Sequence, residues 1–137
     1  MNWFKALLVP IAFTSQLAVA EVAVIVHPSN AAAVDQAEIT RLFTGRGTTF
    51  SGGAKATPFN LAESAAIRAD FDSKVLGKSS SQMKAFWSKL VFTGKGTPPK
   101  EMANDAAMKA TVAADPTAIG YIDASAVDAT VKVIGKF

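Results

Sequence analysis

The 137-residue sequence predicts an α/β fold, a mixed β-sheet flanked by helices, on three observations. A continuous apolar, β-rich run at 22 to 26 lacks polar alternation, the pattern of a strand buried on both faces, and a closing strand is read at 118 to 122. Between them, apolar residues repeat at helical spacing: Ile67, Phe71 and Val75 stand four apart, and Met83, Phe86, Trp87, Leu90 and Val91 form a longer stripe. Gly45 and Gly94 stop two of these segments, where a left-handed residue ends a helix. Strands alternating with helices build a layered sheet.

The chain opens with the pattern of an export signal. Residues 1 to 20 hold Lys5, an apolar run from 6 to 13, a polar break at Thr14, Ser15 and Gln16, and the small ending Ala18-Val19-Ala20. That order matches a secretory signal peptide cleaved before Glu21. A membrane-spanning helix needs about 20 apolar residues, and Pro10 and the polar break interrupt this run. The expectation is a signal peptide over 1–20 and a single domain over 21–137, in a protein that is not integral to a membrane. With no cysteine there is no lipid-anchor site, disulfide or thiolate metal site. A soluble exported protein without an anchor needs an outer membrane to retain it, so a bacterial periplasm is expected.

The first strand stops at His27-Pro28-Ser29-Asn30. Asp35 with Glu38 three residues on forms a capping box, and Val34 is placed to staple onto Ile39, so a helix begins there and buries Ile39, Leu42 and Phe43. Gly52 and Gly53 mark a turn, and 56 to 59 reads as a second strand before the Ile67 helix. Ser79 or Ser80 caps the helix of the long stripe, which ends at Gly94 with Pro98 and Pro99 beyond. An alanine-rich helix over about 104 to 114 turns Met108 and Val112 inward, and strands at 118 to 122 and 131 to 134 close the chain.

Losing Lys5 from the 14 basic residues leaves 13 against 11 acidic ones. They are scattered singly, without an aromatic platform, so no nucleic acid partner is expected. His27 is the sole histidine, with no second ligand to complete a metal site, and it reads as structural or solvated. Asp70 and Asp72 are two apart on a helix and face different ways, a poor acid/base pair. No Gly-x-Ser-x-Gly is present, and Ser81 and Lys84 lie on an amphipathic helix as a surface strip. No catalytic constellation, metal site or cofactor follows, and the chain is not expected to be an enzyme.

Phe43-Thr44-Gly45-Arg46-Gly47-Thr48 is echoed by Phe92-Thr93-Gly94-Lys95-Gly96-Thr97. Both follow helices, whereas a phosphate loop follows a strand and opens a helix, so they read as helix stops with basic tips and as candidates for a partner surface. Together with Ala118-Ile119-Gly120-Tyr121-Ile122, these segments resemble the short phosphate-binding-protein-like domains related to the periplasmic receptors of phosphate ABC transporters. That resemblance covers nearly all of the chain after residue 20. It implies a periplasmic-binding-protein-like (type II) lobe, phosphate or a related small oxyanion as ligand, and a membrane permease or sensor as partner.

Helix N-termini offer unpaired donors and a positive dipole end, so the loops after the first two strands are the natural anion positions. They supply Ser29 and Asn30, then Ser64 with Arg68 one turn further on, a hydroxyl and a guanidinium fork. The expected site is Ser29, Asn30, Ser64 and Arg68, with the two loops facing one crevice. In the receptors, the corresponding helix starts with Ser-Gly-Thr preceded by an arginine. Here the segment reads Ser64-Ala65-Ala66, with Asn60 near the arginine's place, so the serine alone carries over. Two functions stay open: an oxyanion-binding receptor domain for ABC-type uptake or sensing, and a protein-interaction or sensor-accessory module on the same scaffold. Trp87 is expected in the core and not in a ligand site.

Overall fold

The computed structural model describes residues 21–137, together with Pro10. The expected signal peptide and its cleavage point lie outside the described residues. Five strands, β1 (Val22–Val26), β2 (Thr57–Leu61), β3 (Lys100–Met102), β4 (Ala118–Asp123) and β5 (Lys132–Lys136), form one sheet in the order β3-β2-β4-β1-β5. The sheet is mixed. β2 runs parallel to β3 and β4, whereas β1 runs antiparallel to both of its neighbours, β4 and β5. β3, the three-residue edge, carries Lys100 and Glu101 and has no apolar run to announce it in the sequence.

The helices are α1 (Gln36–Phe43), α2 (Ala66–Phe71), α3 (Ser80–Phe92) and α4 (Asp105–Ala114), and a π-helical turn, Asp72–Leu76, continues α2. Every residue of β1 is buried, so both faces of the sheet are covered. Alternation along β4 shows how. A Cβ at Gly120 would stand 2.4 Å from Met108 Sδ, which puts α4 on that face. The next residue, Tyr121, points to the other face. There it stacks on Phe71, ring centroids 3.8 Å apart, and meets Phe43 edge-on. Phe43, Phe71 and Tyr121 are all but inaccessible to water and centre that side of the core.

Capping is local and follows the sequence. Asp35 Oδ1 accepts from the Glu38 N–H at 2.8 Å, but the Glu38 carboxylate turns away to Ser51, so the expected box is only half made. Ser79 and Gln82 form a complete box at the start of α3. The two echoed motifs end α1 and α3 in the same way. Gly45 and Gly94 adopt φ of 73° and 68°. The Arg46 N–H donates to the Arg41 carbonyl at 3.0 Å, and the Lys95 N–H to that of Leu90 at 2.9 Å. Both are Schellman closures, for which glycine is favoured at the left-handed position. Along α3, Met83 and Trp87 are buried as expected, whereas Val91 and Phe92 are 53% and 92% exposed. No described helix is long and apolar enough to cross a membrane.

Candidate functional site

The structure does not gather the four expected site residues. Val26, at the end of β1, is paired with Ile119, and Ile119 is paired with Pro58 near the start of β2. Because β1 runs antiparallel to β4 and β2 parallel to it, the loop after β1 lies at the opposite end of the sheet from the loop after β2. Ser29 and Asn30 therefore do not face Ser64 and Arg68, and the single crevice expected from the sequence is not formed. The polar groups of the turn are already engaged, within it and by β5. Ser29 Oγ lies 2.7 Å from His27 Nδ1, Asn30 Oδ1 accepts from the Ala32 N–H at 2.9 Å, and Lys132 Nζ donates to the Asn30 carbonyl at 3.0 Å.

Ser64 and Arg68 also part company. Ser64 is exposed and lines a cavity of about 490 Å³ between the starts of α2 and α4, with Asp105 and Asp123 in its wall. Burial pushes the Asp105 carboxyl above its ordinary value, opposed by the Asp123 N–H and helped by the Asp123 charge. Two carboxylates thus meet the positive ends that an anion would need, and like charge makes the cavity unfavourable to one.

Arg68 points elsewhere. Its Nη1 donates to the Leu61 carbonyl at 3.0 Å and pairs with Glu101 Oε1 at 2.8 Å across the β2–β3 edge. The same side chain lines a crevice of about 280 Å³ with Glu63, Ser80, Ser81 and Lys84, at the N-terminus of α3. This crevice has two cations and two hydroxyls against one carboxylate. It is where the fold offers most to an oxyanion. Ser80, Ser81 and Lys84 entered the sequence reading only as a cap and a surface strip; their spacing on α3 brings them to Arg68.

Behind Arg68 sits Asp72, which the sequence offers only as half of a poor acid/base pair with Asp70. Asp72 is 1% exposed, and neither of its carboxylate oxygens accepts a hydrogen bond in good geometry. Desolvation raises its pKa; the charge of Arg68 and the neighbouring Ser80 hydroxyl act in the opposite sense. It lies at the head of the π turn, and such turns recur at functional positions. Asn60, which stands near the receptors' arginine position, is buried and structural. Its Oδ1 accepts from the Tyr121 hydroxyl and from the Leu61 N–H at 3.0 Å. Tyr121 is raised far above its ordinary pKa by burial, so its hydroxyl stays protonated.

No protein-family model and no curated protein sequence matches the chain. Solved structures do. An ABC-type phosphate transport receptor from Vibrio cholerae superposes with a TM-score of 0.65 at 20% identity, over 84% of this chain and 46% of the receptor. The fold is that of the phosphate ABC transporter substrate-binding proteins. A phosphate ABC transporter substrate-binding protein from Clostridium perfringens, with bound phosphate, gives 0.64 at 20% identity over 84% of this chain and 45% of its own. PstS from Borrelia burgdorferi gives 0.60 at 11% identity, over 85% and 47%. The chain spans slightly less than half the length of these receptors.

Proposed function

We propose that this chain is an exported, periplasmic solute-binding-like domain that takes phosphate or a related small oxyanion, working beside ABC-type uptake or sensing rather than as an enzyme. The observation that carries the reading is the Arg68–Lys84 crevice: two cations and the Ser80 and Ser81 hydroxyls converge at the start of the 13-residue helix α3, on a scaffold shared with phosphate receptors. Ser64, Ser29 and Asn30 have no part in this site. Because Arg68 Nη1 is engaged by Glu101 and Leu61, and Glu63 stands in the wall, a single chain binds weakly, and a second lobe or a partner closes the site.

Thermal unfolding of the purified protein against phosphate, sulfate and phosphonates tests this. Ligand at a hundredfold excess over its dissociation constant adds about 2.7 kcal/mol of stability. Lys84→Gln, a change at an exposed residue, should remove most of the shift. A shift that Lys84→Gln leaves intact places the anion elsewhere. No shift with any oxyanion gives the scaffold to the second reading, a protein-interaction or sensor-accessory module. That reading is favoured by Val91 and Phe92, which stand exposed beside Trp87 and Pro98 along a groove of about 470 Å³.

A further inference from the structure

The two echoed motifs, about a third of the chain apart, close on one side chain. A Cβ built at Gly45 would stand 3.1 Å from Trp87 Cη2, and one at Gly96 would stand 3.3 Å from Trp87 Cζ3. These two helix ends, the start of β2 and the approach to β3 wall a groove of about 640 Å³ in which Leu42, Phe59, Pro58, Pro98 and Pro99 surround Trp87. Among the described residues that line it, Lys100 alone is charged. Arg46 and Lys95 stand exposed at the tips of the two walls, and neither belongs to an ion pair among the described residues. Charge at this surface therefore has one sign. Trp87 is 7% exposed, and its indole Nε1–H has no acceptor, although a buried donor is nearly always paired.

We propose that this groove docks an extended acidic segment of a partner protein, with an apolar side chain seated against Trp87 and carboxylates reaching Arg46, Lys95 and Lys100. The inference rests on the interaction reading of the scaffold, and the groove shares no residue with the Arg68–Lys84 crevice. Pro58, Pro98 and Pro99 carry no N–H. The segment is thus held by side chains and not added to the sheet as a further strand.

Selection from a random dodecapeptide display library against the full chain tests the assignment. The expected survivors carry several Asp or Glu residues beside an aliphatic or aromatic anchor. Their affinity should fall by about tenfold or more in Arg46→Glu/Lys95→Glu/Lys100→Glu, as expected when charge complementarity is reversed, and should weaken with added salt. Trp87→Phe, which shrinks the surface the anchor packs against, should weaken them while the domain stays folded with a modestly lowered melting temperature. Because all three charge-reversed residues are exposed, that variant should melt as the wild type does. Survivors without acidic bias, no survivors, or binding indifferent to the charge reversal would overturn the proposal. Survivors lost instead in Phe92→Ser would move the partner to the neighbouring apolar ridge, overturning the groove and keeping the interaction reading. The phosphate-induced shift is unaffected by these outcomes.

Discussion

Trp87→Ala should be among the most damaging single truncations in this domain. The side chain is 7% exposed, meets Phe86 edge-on with centroids 5.3 Å apart, and is the floor on which Gly45 and Gly96 rest. Truncating a buried tryptophan costs about 3–5 kcal/mol, and the figure depends on how far the surroundings collapse into the void. Here collapse is restricted. The backbones that cover the ring are pinned by the Schellman closures after α1 and α3, so the upper part of that range is expected. In a domain of this size a kcal/mol moves the midpoint by about 3–5 °C, so the melting temperature should drop by roughly 12–25 °C. Trp87→Phe should cost less than Trp87→Ala, because an aromatic ring is retained, the void is smaller and Nε1 forfeits no hydrogen bond. Thermal unfolding followed by circular dichroism measures both. A melting temperature for Trp87→Ala within two or three degrees of wild type, on the order of half a kcal/mol, would show that the ring holds nothing together and would refute the reasoning.

Two further outcomes follow from the buried polar groups. Asp72 has its native pKa raised, so the stability associated with its protonated form is present below about pH 4 and is lost as pH rises through the native pKa. The stability difference between Asp72→Asn and wild type should therefore grow in favour of the variant as pH rises above 4, and comparing denaturant midpoints at pH 3.5 and pH 7, values chosen to flank that window, checks it; a difference independent of pH would show that the carboxyl is not desolvated. Tyr121→Phe removes the hydroxyl that donates to Asn60 Oδ1 and receives the Leu61 N–H at 3.2 Å, and should cost about 1–3 kcal/mol by urea unfolding with the m-value unchanged.

Most of the fold was legible because its signals are local. An apolar run without alternation marked β1, a capping residue and a stripe marked α1 and α3, and glycine after Phe-Thr stopped both helices. The failures are places where long-range context outweighed local pattern. β3 carries Lys100 and Glu101 on an exposed edge, and nothing in three polar-rich residues distinguishes it from a loop until β2 is beside it. Val91 keeps helical spacing with Leu90 and Trp87, but it lies where α3 overruns the core, so the stripe continues and the burial does not. The π turn after Phe71 is likewise silent in sequence, since Ile67, Phe71 and Val75 stay inward through it.

The candidate site was harder to read because it depends on strand direction, which periodicity does not carry. Loops after two parallel strands share one end of a sheet, and that is the arrangement in which helix N-termini converge on a ligand. A buried apolar strand has the same pattern whichever way it runs. β1 here is flanked on both sides by antiparallel neighbours, so its following loop, with Ser29 and Asn30, is carried to the far end from Ser64. Helical phase then divides the remaining pair. Ser64 precedes α2 and opens toward the acidic wall of Asp105 and Asp123, whereas Arg68 is turned over the β2–β3 edge to Glu101 and the start of α3. Polarity in the sheet and phase on α2 thus separate residues that are close in sequence, and the same geometry gathers Arg68 with Ser80, Ser81 and Lys84, which sequence distance had kept apart.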